Sequence, residues 1–197
     1  MEKIYFALGL MSGTSGDGVD SSIIQTDGMD KFTIKFNNYD PYPSDLSDEI
    51  HRIKEKIQNS SDLAKFTNEL KFLEVKLTTF HANVANKCFK TNHVDIIGFH
   101  GQTIFHNSEE KISRQLGLGE ELSKLTKKNI IYNFRQNDLK HGGEGAPLAP
   151  IYHKLLVKNF RDRKKLNKKS TVIILNLGGI ANITIINEKY EIHSMDI

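Results

Sequence analysis

The sequence predicts an α/β fold: one lobe with a partly parallel sheet, followed by the opening hairpin of a second lobe. Three observations carry this. Short apolar runs closed by glycine-rich turns open the chain, a long helical stripe separates them from another apolar strand, and the opening pattern returns near the end. A strand–helix–strand order implies a crossover, and crossovers join parallel strands.

The elements follow in order. Ile4 to Met11 is short and apolar, as a buried strand is, and Val19 to Thr26 is its hairpin partner. Phe32 to Asn38 forms a third strand after the Asp27-Gly28 turn. Ser44 is placed to cap a helix with Leu46, Ile50, Ile53 and Ile57 on one face. Leu63, Phe66, Leu70, Leu73, Leu77, Phe80, Val84 and Cys88, spaced by threes and fours, predict one longer helix whose stripe packs in the core. Val94 to Phe99 reads as a strand ending in the turn His100-Gly101-Gln102-Thr103. A short helix near Glu120 to Leu125, a strand at Asn129 to Asn133, a glycine loop and a helix from about Pro150 complete a first lobe over 1–165. In 166–197, Val172 to Asn176, a turn at Leu177-Gly178-Gly179, and Ile180 to Ile186 repeat the first hairpin. A second lobe of comparable size would need on the order of 100–150 further residues.

Composition narrows the class. Hydrophobic residues at 38% and charged ones at 26% suit a soluble globular protein, and a net charge of +3 gives no global argument for nucleic acid. The basic run from Lys158 to Lys169 reads as a solvated connector. Cys88 is the sole cysteine, so no internal disulfide forms and a reducing compartment is expected. Tyr5 to Met11 is too short to span a bilayer and no signal-cleavage pattern follows it. The expectation is a cytoplasmic protein with no membrane partner.

Three loops carry chemistry. Ser12-Gly13-Thr14-Ser15-Gly16-Asp17-Gly18 lies between two strands; its glycines let amides converge on an anion, and Ser12, Thr14 and Ser15 add hydroxyl donors. Asp17 or Asp20 suits Mg²⁺ held through water. The loop lacks the Gly-Lys-Ser/Thr of a P-loop, and a strand rather than a helix follows it, which excludes a dinucleotide fingerprint. A plain hairpin turn is the competing reading. Gln102 and Thr103, at the carboxyl end of a parallel strand, offer hydrogen bonds to sugar hydroxyls or an acetamido group; a strand-end turn alone is the alternative. Asp138 precedes His141-Gly142-Gly143-Glu144-Gly145, an arrangement that suits either a general base approached closely by substrate or a turn former. His141 and Glu144 are expected to face solvent. The order of Ser, His and Asp needed for covalent catalysis is missing.

Together these stretches resemble the anhydro-N-acetylmuramic acid kinase family of the sugar kinase/actin/Hsp70 superfamily. The matching segments are GLMSGTSGDGVD (Gly9 to Asp20), GFHGQTIFH (Gly98 to His106), NFRQNDLKHGGEGAPLAPIYH (Asn133 to His153) and NLGGIANIT (Asn176 to Thr184). The resemblance implies a ribonuclease H-like first lobe of a two-lobed fold. It also implies ATP- and Mg²⁺-dependent cleavage of the 1,6-anhydro ring with phosphorylation of O6, giving N-acetylmuramic acid 6-phosphate in cell-wall recycling. By the same resemblance Asp138 activates water. Ser12, Gly13, Thr14, Ser15, Gly16, Asp17, Gly18 and Asp20 bind ATP with Gly178 and Gly179, Asp17 holds Mg²⁺ through water, and His100, Gln102, Thr103, Gly142 and Gly143 contact sugar.

Two departures stand out. Gly16 replaces the leucine usual in the family, expected to loosen the loop by at most about 1 kcal/mol. The chain also stops at Ser194-Met195-Asp196-Ile197, where the family continues. The expectation is therefore a truncated kinase, inactive alone, with a separate C-terminal half or a homodimer as partner. The competing reading is a non-catalytic remnant, or half of a split kinase, that binds sugar weakly.

Overall fold

The computed structural model describes residues 3–177 and 181–197. The expected turn at Gly178 and Gly179 therefore lies outside the described residues.

The first lobe opens as a meander: β1 (Tyr5–Ser12), β2 (Gly18–Thr26) and β3 (Phe32–Pro41), each antiparallel to the next. Three helices follow: α1 (Ser44–Lys56), α2 (Ser60–Lys65) and α3 (Thr67–Phe89). They return the chain to β4 (Ile96–Asn107), which lies parallel to β1. Next come β5 (Ile112–Leu116), α4 (Gly119–Thr126) and β6 (Asn129–Ile131). β4 serves two neighbours on its outer edge. Its start pairs parallel with β6, and its extension pairs antiparallel with β5. The order β3-β2-β1-β4-β6, with β5 as an added hairpin strand, is that of the ribonuclease H-like lobe the resemblance implies.

One face of the sheet carries the core. Leu8 and Leu10 of β1, Val19 and Ile23 of β2, and Ile97 and Phe99 of β4 pack with Leu46, Ile50 and Ile53 of α1 and with Leu70, Leu73, Leu77, Val84 and Cys88 of α3. Each such side chain contributes roughly 1.5–3 kcal/mol of burial. This is why the spacing of apolar residues predicts these elements.

The differences from expectation are local. Pro43 rather than Ser44 is the N-cap of α1, and no side chain caps that helix. The predicted long helix is two, broken at Phe66 (φ −101°, ψ 22°). Asn59 caps the first, its side chain accepting from the Ser61 amide at 3.0 Å while Asp62 accepts from the Asn59 amide at 3.2 Å. The apolar stripe runs unbroken through that joint, so periodicity could not reveal it. His100 to Thr103 lie inside β4 and not in a turn after it.

After β6 the chain forms α5 (Phe134–Lys140), a glycine-rich loop and α6 (Pro150–Asp162), then β7 (Val172–Asn176), β8 (Asn182–Ile186) and β9 (Ile192–Asp196). The last three form an antiparallel sheet, one strand more than the expected hairpin. α6 bridges the two sheets. The Tyr152 ring packs against Phe32 of β3 at a tilt of 58°, centroids 5.3 Å apart, and Lys158 pairs with Asp30. On the other side, His153 bonds Thr184 of β8 at 2.8 Å. Arg161, fully buried, donates to the carbonyls of Ser170 (2.6 Å) and Asn187 (3.2 Å) and lies over the Tyr190 ring.

Candidate active site

The first glycine loop spans the gap between β1 and β2. At its root is a buried relay. His81 of α3 donates from Nδ1 to the Leu77 carbonyl (2.8 Å), which leaves Nε2 to accept from the Ser12 hydroxyl (2.9 Å). Ser12 Oγ in turn accepts from the Tyr42 hydroxyl (2.8 Å). Burial lowers the His81 pKa to about 4, so the ring is neutral and the relay keeps this direction at neutral pH. The Ser12 hydroxyl is thus fully buried and engaged within the fold. The other loop hydroxyls fare differently. Thr14 and Ser15 are exposed, and Ser15 donates to Asp17 at 2.6 Å.

Gly16 does not loosen the loop. Its φ of +70° is a left-handed conformation, and a Cβ there would lie 2.9 Å from Ile50 Cγ2. Gly18 is equally confined, with the Asp40 carbonyl and the Tyr39 ring where a side chain would stand. Val19 returns to the core, while Asp20 faces the open side of the sheet. Desolvation raises the Asp20 pKa, and the charge of Asp17 adds to the effect.

β4 approaches the same place from the other side. Between Leu10↔Phe99 and Met11↔Gly101 its register slips by one residue, so His100 bulges. Gly101 takes φ +75°, with the Leu116 carbonyl 2.5 Å from where its Cβ would be. Gln102 is consequently buried and donates to the Gly13 carbonyl at 2.6 Å. Thr103 is buried beside it. Gln102 thus holds the glycine loop, and neither residue lines the recess beside Asp138 or the one beside Asp20. His100 does line the cleft, yet both ring nitrogens are engaged. Nδ1 donates to the Gly101 carbonyl (2.8 Å) and Nε2 accepts from Arg135 Nε (2.9 Å). Burial, then the neighbouring guanidinium, lowers its pKa to about 4.

Asp138 lies in α5. Its Oδ2 accepts from the Gly145 amide at 2.9 Å. Gly143 makes this possible, because a Cβ there would sit 2.1 Å from Oδ2. That glycine serves the close seating of the carboxylate. Gly142, at φ +92°, is exposed with open space around it. His141 is exposed as expected, but it also borders the Asp138 recess.

Two recesses meet here. One, about 450 Å³, is lined by Asp138, Asn137, His141, Leu148 and Ile151 together with His100 and Phe134. The other, about 710 Å³, includes Gly9, Met11, Asp20, Asn37 and Tyr39, again with His100 and Phe134. The two recesses therefore adjoin at His100 and Phe134, the Asp138 side on one hand and the strands that flank the glycine loop on the other. Sequence reasoning gave no role to Arg135, Tyr39, Tyr42 or His81. His81, four residues after Leu77 on an apolar stripe, was the only signal for the relay, and a core histidine looks the same.

Comparison with known proteins agrees with this architecture. The protein-family model described as anhydro-N-acetylmuramic acid kinase matches residues 5–197. A relative so named from Pelagibacter ubique is 49% identical over 191 residues, covering 96% of this chain and 49% of the relative. Another of that name from Rhizobium johnstonii is 36% identical, covering 100% of this chain and 53% of the relative. The chain thus spans about half the length of the curated relatives it matches. The crystal structure of an exopolyphosphatase-like protein superposes with a TM-score of 0.50 over 100% of this chain and 52% of its own, at 13% identity, which speaks to fold alone. With a match running nearly end to end, and the ribonuclease H-like order of the first sheet beside it, the chain belongs to the anhydro-N-acetylmuramic acid kinase family.

Proposed function

We propose that this chain supplies the phosphate loop and the general base of an ATP-dependent kinase that opens 1,6-anhydro-N-acetylmuramic acid and phosphorylates O6. The observation that carries the reading is that two recesses adjoin at His100 and Phe134, one lined by Asp138 and the other by Asp20 and the strands that frame Gly13 to Asp17. Asp138 has one oxygen oriented by the Gly145 amide. In this reading the carboxylate takes a proton from water as the water adds to the anomeric carbon, the 1,6 C–O bond breaks, and O6 becomes the phosphoryl acceptor.

The residues present fit a nucleotide and its metal. Thr14 and Ser15 expose hydroxyls, and the charge of Asp17 disfavours a second charge on Asp20, so either carboxylate would suit Mg²⁺ held through water. When bound, MgATP supplies the phosphoryl group and offsets its charge. In this reading His100, Gly142 and Gly143 border or support the sugar side, and Gly178 and Gly179 would contact the nucleotide as well. The expected partners are the sugar, ATP and the remaining half of the fold. No helix among the described residues is long and apolar enough to cross a membrane.

The test is a protein of the relatives' full length that carries this half, assayed with ATP and the anhydro sugar. Formation of the 6-phosphate, abolished by Asp138→Asn, is expected. An intact full-length protein that phosphorylates no anhydro sugar overturns the proposal.

A further inference from the structure

The loop Gly13 to Asp17 is held from behind by donors from separate parts of the fold. The Gly13 carbonyl accepts from Gln102 Nε2 (2.6 Å), the Thr14 carbonyl from Lys54 Nζ, the Gly16 carbonyl from Ser47 Oγ (2.9 Å) and the Asp17 carbonyl from the Tyr42 amide (2.9 Å). In a trans peptide the C=O of one residue and the N–H of the next point in opposite directions. Drawing in the carbonyls of Gly13, Thr14 and Gly16 therefore turns out the amides of Thr14, Ser15 and Asp17. These residues are exposed, and among the described residues no protein acceptor bonds any of the three amides. Converging outward amides form an anion nest.

One of the donors is unlike the rest. Ser47, Ile50 and Lys54 follow one another along the face of α1 that lies under the loop. Lys54 brings a charge there. It is half-buried, and among the described residues it has no carboxylate partner. A desolvated cation one peptide from a set of unbonded amides is unfavourable until an anion arrives. The opposing charges are Asp17, whose carboxylate is engaged by Ser15, and Asp20. They disfavour a bare anion and favour one carrying a divalent cation.

We infer that Lys54 is the anion-binding cation of this loop: it anchors the Thr14 carbonyl and its charge attracts a metal-complexed polyphosphate to the amides of Thr14, Ser15 and Asp17. The inference rests on the phosphate-loop reading above. It adds a residue from outside the glycine motif, on a helix that the motif does not include.

Magnesium pyrophosphate titrated into the 197-residue chain, followed by amide and Lys54 side-chain nitrogen resonances, tests it. Lys54→Gln keeps an N–H donor for Thr14 but removes the charge; Lys54→Arg keeps the charge. Saturable shifts at the three amides are expected in the unsubstituted chain and in Lys54→Arg, with binding at least about tenfold weaker in Lys54→Gln, or about 1.4 kcal/mol. In the unsubstituted chain the Lys54 Nζ resonance should move at saturation. Equal affinity in Lys54→Gln, or an Nζ resonance that stays still while the amides shift, overturns the role of Lys54 and leaves the phosphate loop standing. Absence of any shift at the three amides overturns the phosphate-loop reading itself, and this inference with it.

Discussion

Asp138 and Gly143 are packed so closely that a methyl group on the glycine would lie 2.1 Å from the carboxylate Oδ2. The catalytic reading of Asp138 thus depends on a residue with no functional group of its own. Gly143→Ala is expected to displace the carboxylate and lower kcat of a full-length protein by at least about a hundredfold, since small misplacements of a reacting group are costly. Its melting temperature should change little. Steady-state kinetics with a thermal melt checks this.

Gly16→Ala should destabilise the chain by about 1–2 kcal/mol, because it combines a left-handed backbone with a contact 2.9 Å from Ile50 Cγ2. Urea unfolding measures it. Combining the change with Ile50→Ala, which removes the Cγ2 methyl that the new Cβ would meet, should remove part of the added cost of the glycine substitution.

Tyr42→Phe removes the outer donor of the Ser12 relay, at an expected cost of about 1 kcal/mol. Ser12→Ala should cost more, roughly 1–3 kcal/mol, because it strands two buried partners, His81 Nε2 and the Tyr42 hydroxyl. Finding the two variants equal by denaturant titration would mean that the hydroxyls do not act as a chain.

His81 and His100 are both held neutral, with pKa values lowered from 6.5 to about 4. Between those values the unfolded chain binds more protons than the folded one, so stability falls as pH drops from about 6.5 toward 4 and levels off below. The loss is on the order of 3 kcal/mol for fully buried His81. His81→Gln should flatten the pH profile of unfolding even where it lowers the overall value.

Arg161→Met removes the guanidinium that joins α6 to the carbonyls of Ser170 and Asn187. Hydrogen exchange should quicken in β7–β9 while β1–β4 keep their protection. Uniform quickening across both sheets would show that the two unfold as one body.

How much of this was legible in the sequence depended on whether the signal was periodic. The core face of β1, α1 and α3 followed from spacing, because burial repeats with the geometry of the element. The break at Phe66 did not, since the apolar stripe continues through it. The added strands β5 and β9 are short, and nothing in Ile112–Leu116 distinguishes a strand from a connector. At the site, residue types were legible but directions were not. Ser12, Gln102 and Thr103 have the chemistry of ligand donors, and only a register slip in β4 and the relay from α3 decide that they face inward. Asp138 and the glycines were legible as a group, while the reason for Gly143 required coordinates.

The slip at His100 has a wider meaning. Adjacent strand positions look to opposite sides, so a single added residue exchanges the two sides for everything beyond it. Were the strand to run on without that slip, position 102 would look away from the face that carries Ser12, and Gln102 would let go of the Gly13 carbonyl. The His-Gly-Gln segment thus works as a mechanical spacer. Its length matters as much as its letters.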